Sequence, residues 1–161
     1  MEIVVTTLAQ AIAQGFRRYI DFRGRASRAE YWWWWLFALA GGALSYLIGI
    51  VVQWRVPEVV FVVVMFLPTS AITTRRLHDI GKTGWWKAAW LALGVISGAL
   101  AFISNEVGPG TLGSVVPGVA SGLVAAAGGI WAVAWLVRQG DTGPNRFGPD
   151  PQVVNPRRRG L

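Results

Sequence analysis

The hydrophobic positions of this chain fall into four long apolar runs preceded by one short periodic segment. The runs cover residues 33–52, 56–74, 85–103 and 115–137, each close to the roughly 20 residues a helix needs to cross a hydrocarbon core. Ahead of them Leu8, Ile12, Phe16 and Ile20 recur at every fourth position, with Gln10, Gln14, Arg17 and Arg18 elsewhere around the turn. That spacing predicts an amphipathic helix lying in the membrane interface. Its apolar residues are periodic rather than continuous and Glu2 stands where a basic start is usual, so a cleaved signal peptide fits poorly.

The polar punctuation refines these elements. Residues 104–114 predict a loop and residues 138–161 a turn-rich tail, from their glycine, proline and asparagine content. Pro68 interrupts the second run, where it removes a backbone donor and frees a carbonyl that needs another partner. Thr69, Ser70, Thr73 and Thr74 could supply one. Gly41, Ser45 and Gly49 in the first run, Gly94 and Gly98 in the third, and Gly118 and Gly122 in the fourth predict close helix packing in a four-helix bundle. The expected fold is all-α. A single membrane domain over residues 1–161 carries four transmembrane helices, an amino-terminal interfacial helix and polar motif within residues 1–30, and the tail.

Composition supports the membrane class: 53% of residues are apolar, 14% are charged, and there are ten tryptophans. The absence of cysteine excludes disulfides, thiolate metal sites and thiol nucleophiles. The net charge of +7 has an ordered distribution. Every basic residue except Arg55 lies before the first run, between the second and third, or after the fourth, counting Lys87 as snorkelling back to that interface. This bias predicts that both termini are cytoplasmic, and it accounts for the positive charge without nucleic acid. The tryptophan run at residues 32–35 suits the headgroup level, and Arg157, Arg158 and Arg159 suit anionic lipid.

Three polar stretches, separated by whole spans, converge on that face: GRASRAE, RRLHDIGKTGWW and GPNRFGPDP. One reading is structural. Asp21, Glu30, Asp79, Arg146 and Asp150 enter ion pairs that clamp span ends together, and Arg75 pairs with Asp79 one helical turn on. The other reading is a phosphate or lipid-headgroup site formed by Arg25, Arg28, Arg75, Arg76 and Lys82, because planar guanidinium groups bind phosphate oxygens bidentately.

Enzyme readings are weaker. Gly81, Lys82 and Thr83 imitate the end of a phosphate-binding loop, but Arg76 stands where its first glycine belongs. His78 and Asp79 are the candidates for acid–base chemistry, yet there is no second histidine to complete a metal-dependent phosphohydrolase pair. A magnesium site on Asp79, Asp141 and Asp150 is opposed by the surrounding positive charge. No metal and no cofactor are therefore expected. No run holds a charge well inside it, which weakens an ion path.

In order and spacing, YIDFRGRASRAEYWWW, FLPTSAITTRRLHDIGKTGWW and GPNRFGPDP resemble the signature stretches of the domain-of-unknown-function family 805. The resemblance covers residues 16–151. It implies a multi-pass protein of the bacterial inner membrane and carries no activity, substrate or catalytic residue with it. Lys82 and Thr83 replace the family's more familiar arginine and serine, and the third run lacks its proline and glycine pair. The first expectation is a non-enzymatic anionic-lipid-binding, regulatory or assembly role. A lipid or small-solute transporter ranks second and a membrane phosphoester enzyme third. The expected partners are membrane phospholipids, with a second copy or another membrane protein through the small-residue ridges.

Overall fold

The computed structural model describes residues 6–107 and 110–152. The expectations for Glu2 and for Arg157, Arg158 and Arg159 lie outside the described residues. Within them are five helices: α1 Leu8–Arg17, α2 Arg28–Val51, α3 Val56–Asp79, α4 Trp86–Glu106 and α5 Leu112–Val137. The last four are each long and apolar enough to cross a membrane.

Capping explains where these helices depart from the hydropathy pattern. α2 begins ahead of its apolar run because the Ser27 hydroxyl accepts the Glu30 N–H at 3.2 Å. It ends with Gln53 in the left-handed region, at φ 52°. There the Trp54 N–H reaches the Gly49 carbonyl at 3.0 Å and closes the last turn. α3 runs past its apolar stretch through Asp79, so the arginines and the histidine are helical. Gly81, at φ 70°, stops it while the Lys82 N–H bonds the Leu77 carbonyl at 2.9 Å and the Gly81 N–H bonds His78 O at 3.1 Å. The expected loop at residues 104–114 shrinks, because α4 continues to Glu106 and Thr111 caps α5 by accepting the Ser114 N–H at 3.3 Å.

The described residues fall into two compact units, one within Met1–Gly84 and Gln139–Leu161 and the other within Trp85–Arg138. In the first, α1 rests on α2 through Trp34, the largest fully buried side chain. Any Cβ on Gly15 would overlap the Trp34 ring, and Phe16 meets that ring edge-on at 5.4 Å between centroids. Trp34 Nε1 donates to Thr69 Oγ1 at 3.2 Å, tying α2 to α3. The tryptophan run is thus divided, since Trp33 and Trp35 are exposed while Trp34 turns inward. Gly41 admits the Phe61 ring from α3 to within 2.6 Å of where its Cβ would stand.

Pro68 is buried inside α3. The neighbouring threonines do not take the carbonyl that it frees: Thr73 and Thr74 bond back to Thr69 O and Ser70 O, at 2.7 and 2.9 Å. The Tyr19 hydroxyl instead donates to Val64 O, the acceptor one turn before the proline.

In the second unit, Ser97 and Ser121 exchange hydrogen bonds between α4 and α5. Ser97 Oγ reaches Ser121 O at 3.1 Å and Ser121 Oγ reaches Ser97 O at 2.9 Å. Trp86, Trp90, Trp131 and Trp135 pack edge-to-face, with centroids 5.0 to 6.4 Å apart. Gly128 permits close approach where it faces Leu93, whereas Gly94, Gly98 and Gly122, expected to form packing ridges, would meet nothing within 4 Å with a Cβ.

Candidate functional site

The last turns of α3 carry Arg75, Arg76, His78 and Asp79, and around them wrap the segment before α2 and the carboxy-terminal tail. Asp79 is the hub and is 3% exposed. Its Oδ1 accepts Arg25 Nε at 2.9 Å, and its Oδ2 accepts Arg76 Nη1. The Asp79 carbonyl takes the Asp141 N–H at 2.8 Å. Arg25 completes the knot, donating also to the carbonyls of Gly143 and Asp141. Gly140 has to be glycine here, because a Cβ would overlap the Asp79 carboxylate.

His78 sits beside this hub. Its Nδ1 lies 3.0 Å from Gly24 O, a partner that can only accept, so Nδ1 carries the proton. Its ring stacks on Phe147 with centroids 3.9 Å apart and planes 1° from parallel. Asn145 Nδ2 donates to the His78 carbonyl at 2.9 Å, and Arg146 Nη2 donates to Gly81 O at 3.0 Å. The tail holds its own shape through reciprocal bonds between Asn145 and Gly148, at 3.0 Å each, and through Gly143 N–H to Asp150 Oδ2 at 3.0 Å. Both oxygens of Asp79 therefore face arginines, and His78 Nδ1 faces the Gly24 carbonyl.

Arg75 points the other way. The expected pairing of Arg75 with Asp79 is replaced, since consecutive helical residues point about 100° apart. Arg75 Nη1 meets Glu30 Oε1 at 3.4 Å instead, while Arg76 takes Asp79. Arg75 is 0% exposed, and none of its three guanidinium nitrogens makes a hydrogen bond; Glu30 Oε1 also has none. This is a buried charge pair held without hydrogen-bond contact.

Of the residues expected to clamp, Asp21 pairs with Arg18 at 2.8 Å, and Glu30 and Asp79 pair as described. Arg146 and Asp150 bind backbone. Partial burial raises the Asp21 pKa, but the Arg23 N–H and the Arg18 guanidinium outweigh it and hold that carboxyl below its ordinary value. Of the expected phosphate contacts, Arg25, Arg75 and Arg76 are buried against carboxylates, whereas Arg28 is exposed and Lys82 half-buried. No group of three metal-ligating side chains occurs among the described residues.

Sequence reading did not single out Tyr19, Ser27, Asn145 or Phe147. Ser27 was findable, because serine followed three residues later by glutamate is a helix-start signature. Tyr19, Asn145 and Phe147 act on partners 45 or more residues away in sequence, and nothing local announces them.

Residues 19–149 match the family described as Protein of unknown function (DUF805). Inner membrane protein YhaH of Escherichia coli K12 is 27% identical over 152 residues, covering 85% of this chain and 92% of the relative. Inner membrane protein YhaI of the same strain is 28% identical over 140 residues, covering 84% and 90%. Uncharacterized protein YiiR, also of that strain, is 31% identical over 78 residues, covering 45% and 53%. No solved structure matches. The matched stretch takes in α2 to α5, the arginine node and most of the tail that fastens it, and the chain belongs to the DUF805 family as an integral inner-membrane protein.

Proposed function

We propose that this protein is non-enzymatic and holds anionic phospholipid headgroups on its basic face, with both termini cytoplasmic. The observation that supports this reading is α1. Ala11 and Gly15 are buried toward α2 and Phe16 packs on Trp34 and Phe37, while Leu8 and the following Ile20 remain exposed. Arg17 in its last turn and Arg23 just beyond are exposed as well. A helix with apolar side chains turned outward and arginines at its end lies in the headgroup layer, where each cation near an anionic surface contributes about 1 kcal/mol.

In this reading Arg17, Arg23, Arg28 and Lys82 meet headgroup phosphate. Arg25, Arg75 and Arg76 hold the platform on which those residues stand. Asp79 engaged by two arginines and His78 stacked on Phe147 suit a scaffold better than an acid–base pair.

The test is native mass spectrometry of the full chain with mixed phosphatidylglycerol and phosphatidylcholine. The parent should retain phosphatidylglycerol several-fold better, and Arg17→Ala/Arg23→Ala/Arg28→Ala should lose that preference while keeping its fold. Unchanged preference in the triple variant would sink the reading. Reporters fused to either terminus should register the cytoplasm, and periplasmic exposure would reverse the orientation.

A further inference from the structure

The first turns of α2 divide their aromatic side chains between two faces. Tyr31 and Trp34 are buried within the unit, while Trp33 and Trp35 are exposed and Trp32 is half-buried. On the outer face lies a groove of 450 Å³ walled by Ala29, Trp32, Trp33, Trp35, Leu36 and Leu39. Among the described residues no charged side chain lines it, and the indole N–H is the one polar group its side chains carry. A lining of this kind holds hydrocarbon, because a polar occupant would lose its water without gaining partners.

Two features set this groove apart from the ordinary lipid-facing surface of a span. Its walls are preset. The Trp32 ring meets buried Tyr31 edge-on at 5.4 Å between centroids and Trp35 at 6.2 Å, so an occupant does not have to order them and binding costs less. Its course also follows a lipid molecule. From Ala29 to Leu39 the helix rises about 15 Å, beginning ahead of the apolar run and ending inside it. One leaflet is half of a hydrocarbon core about 30 Å thick, so the groove leads from headgroup level down alongside an acyl chain. At its upper end stands Arg28, exposed and next to Ala29, at the level of a headgroup phosphate.

The geometry points to a fixed site for one phospholipid, with an acyl chain laid in the groove and its phosphate at Arg28. Arg28 enters here on the headgroup reading above; the groove adds the chain that anchors the lipid. Attachment at both ends holds a molecule longer than its headgroup contact alone, since each contact keeps the other end close. Ala29 is what leaves the upper groove open, because any larger side chain there would occupy it.

The experiment loads the full chain with phosphatidylglycerol carrying a diazirine in one acyl chain. On irradiation the parent should be labelled within residues 29–39, and native mass spectrometry should show one phospholipid retained through detergent exchange. Ala29→Phe fills the groove and Leu36→Ser makes its lining polar; both positions are exposed, so neither change enters the core. Each should lower retention about fivefold and move the label elsewhere, while the preference for phosphatidylglycerol over phosphatidylcholine stays as in the parent. Should one variant fail to fold, the other decides. Retention and labelling that persist in the folded variants overturn the site, and so does a groove that retains a fatty acid or a second copy of the chain in place of phospholipid. The two readings fail separately. If Arg17→Ala/Arg23→Ala/Arg28→Ala keeps its phosphatidylglycerol preference, the headgroup reading and the part given to Arg28 fall, and the label at residues 29–39 still tests the groove. If that variant loses its preference but the parent's label avoids residues 29–39, the groove alone falls.

Discussion

The phenolic hydroxyl of Tyr19 donates to the carbonyl of Val64, the acceptor that Pro68 leaves without its helical donor. A proline inside a helix removes the bond to the carbonyl four residues back, and lipid offers that carbonyl no water. The segment after α1 thus makes good a defect in α3. It also ties the end of α1 to α3 beside Pro68.

Tyr19→Phe should cost about 1 kcal/mol in the parent, the net worth of one hydrogen bond. In a Pro68→Ala background, where the helical N–H returns, the same change should cost close to nothing. Unfolding midpoints of the four proteins in a double-mutant cycle check this. Equal costs in both backgrounds would separate Tyr19 from the proline.

The Arg75 and Glu30 pair makes a second, sharper case. Removing one partner from a buried charge pair strands the other, so Arg75→Met alone should destabilise by about 3–5 kcal/mol. Arg75→Met with Glu30→Leu removes both charges and should come back close to the parent, because no hydrogen bond at Arg75 is forfeited. Thermal unfolding in detergent reads the difference. A double variant as unstable as the single would mean that the pair is stabilising as it stands.

Gly140→Ala should loosen the tail. The added methyl overlaps both Asp79 oxygens, and overpacking of this kind costs about 1–3 kcal/mol. The Asp141 N–H, which bonds Asp79 O, should exchange with solvent faster than in the parent. Unchanged protection there would show that the tail absorbs the methyl.

Acid should weaken the Arg18 and Asp21 turn. The Asp21 carboxyl lies below its ordinary pKa, so its charged form is favoured by folding. That contribution is complete above the unfolded value and disappears as pH falls through the folded value, below about pH 4. Its side chain is 41% exposed, so solvent screening keeps the effect small. The stability difference between the parent and Asp21→Asn should shrink as pH drops below about 4. A difference that stays level would remove Asp21 from the acid response.

The arginine stretch was only partly legible in sequence. Apolar content ends near residue 74, yet α3 continues to Asp79, because the arginines' charges are met by Asp79 and Glu30 within the fold. The helix then stops at Gly81 for a reason visible in the chain, a glycine suited to the left-handed position. The same glycine had imitated a phosphate loop. Ser27 and Glu30 carry a helix-start signature that the apolar pattern, which begins at residue 33, passed over, whereas the inward turn of Trp34 depended on Gly15 and Thr69.

By itself the sequence determined the membrane class, the number of spans and their approximate positions. Insertion of about 20 apolar residues into lipid depends on local content alone, so four runs mean four candidate spans. Only tertiary structure decided which charge meets which. Arg75 and Arg76 both had Asp79 within helical reach, but their side chains leave the helix in different directions, one toward Glu30 and the other toward Asp79. Arg25 reaches across 54 residues to Asp79 and 118 to Gly143, distances over which no local pattern carries information. Partnership among buried charges is set by where packed helices and the returning tail place them, and that placement is a property of the whole unit.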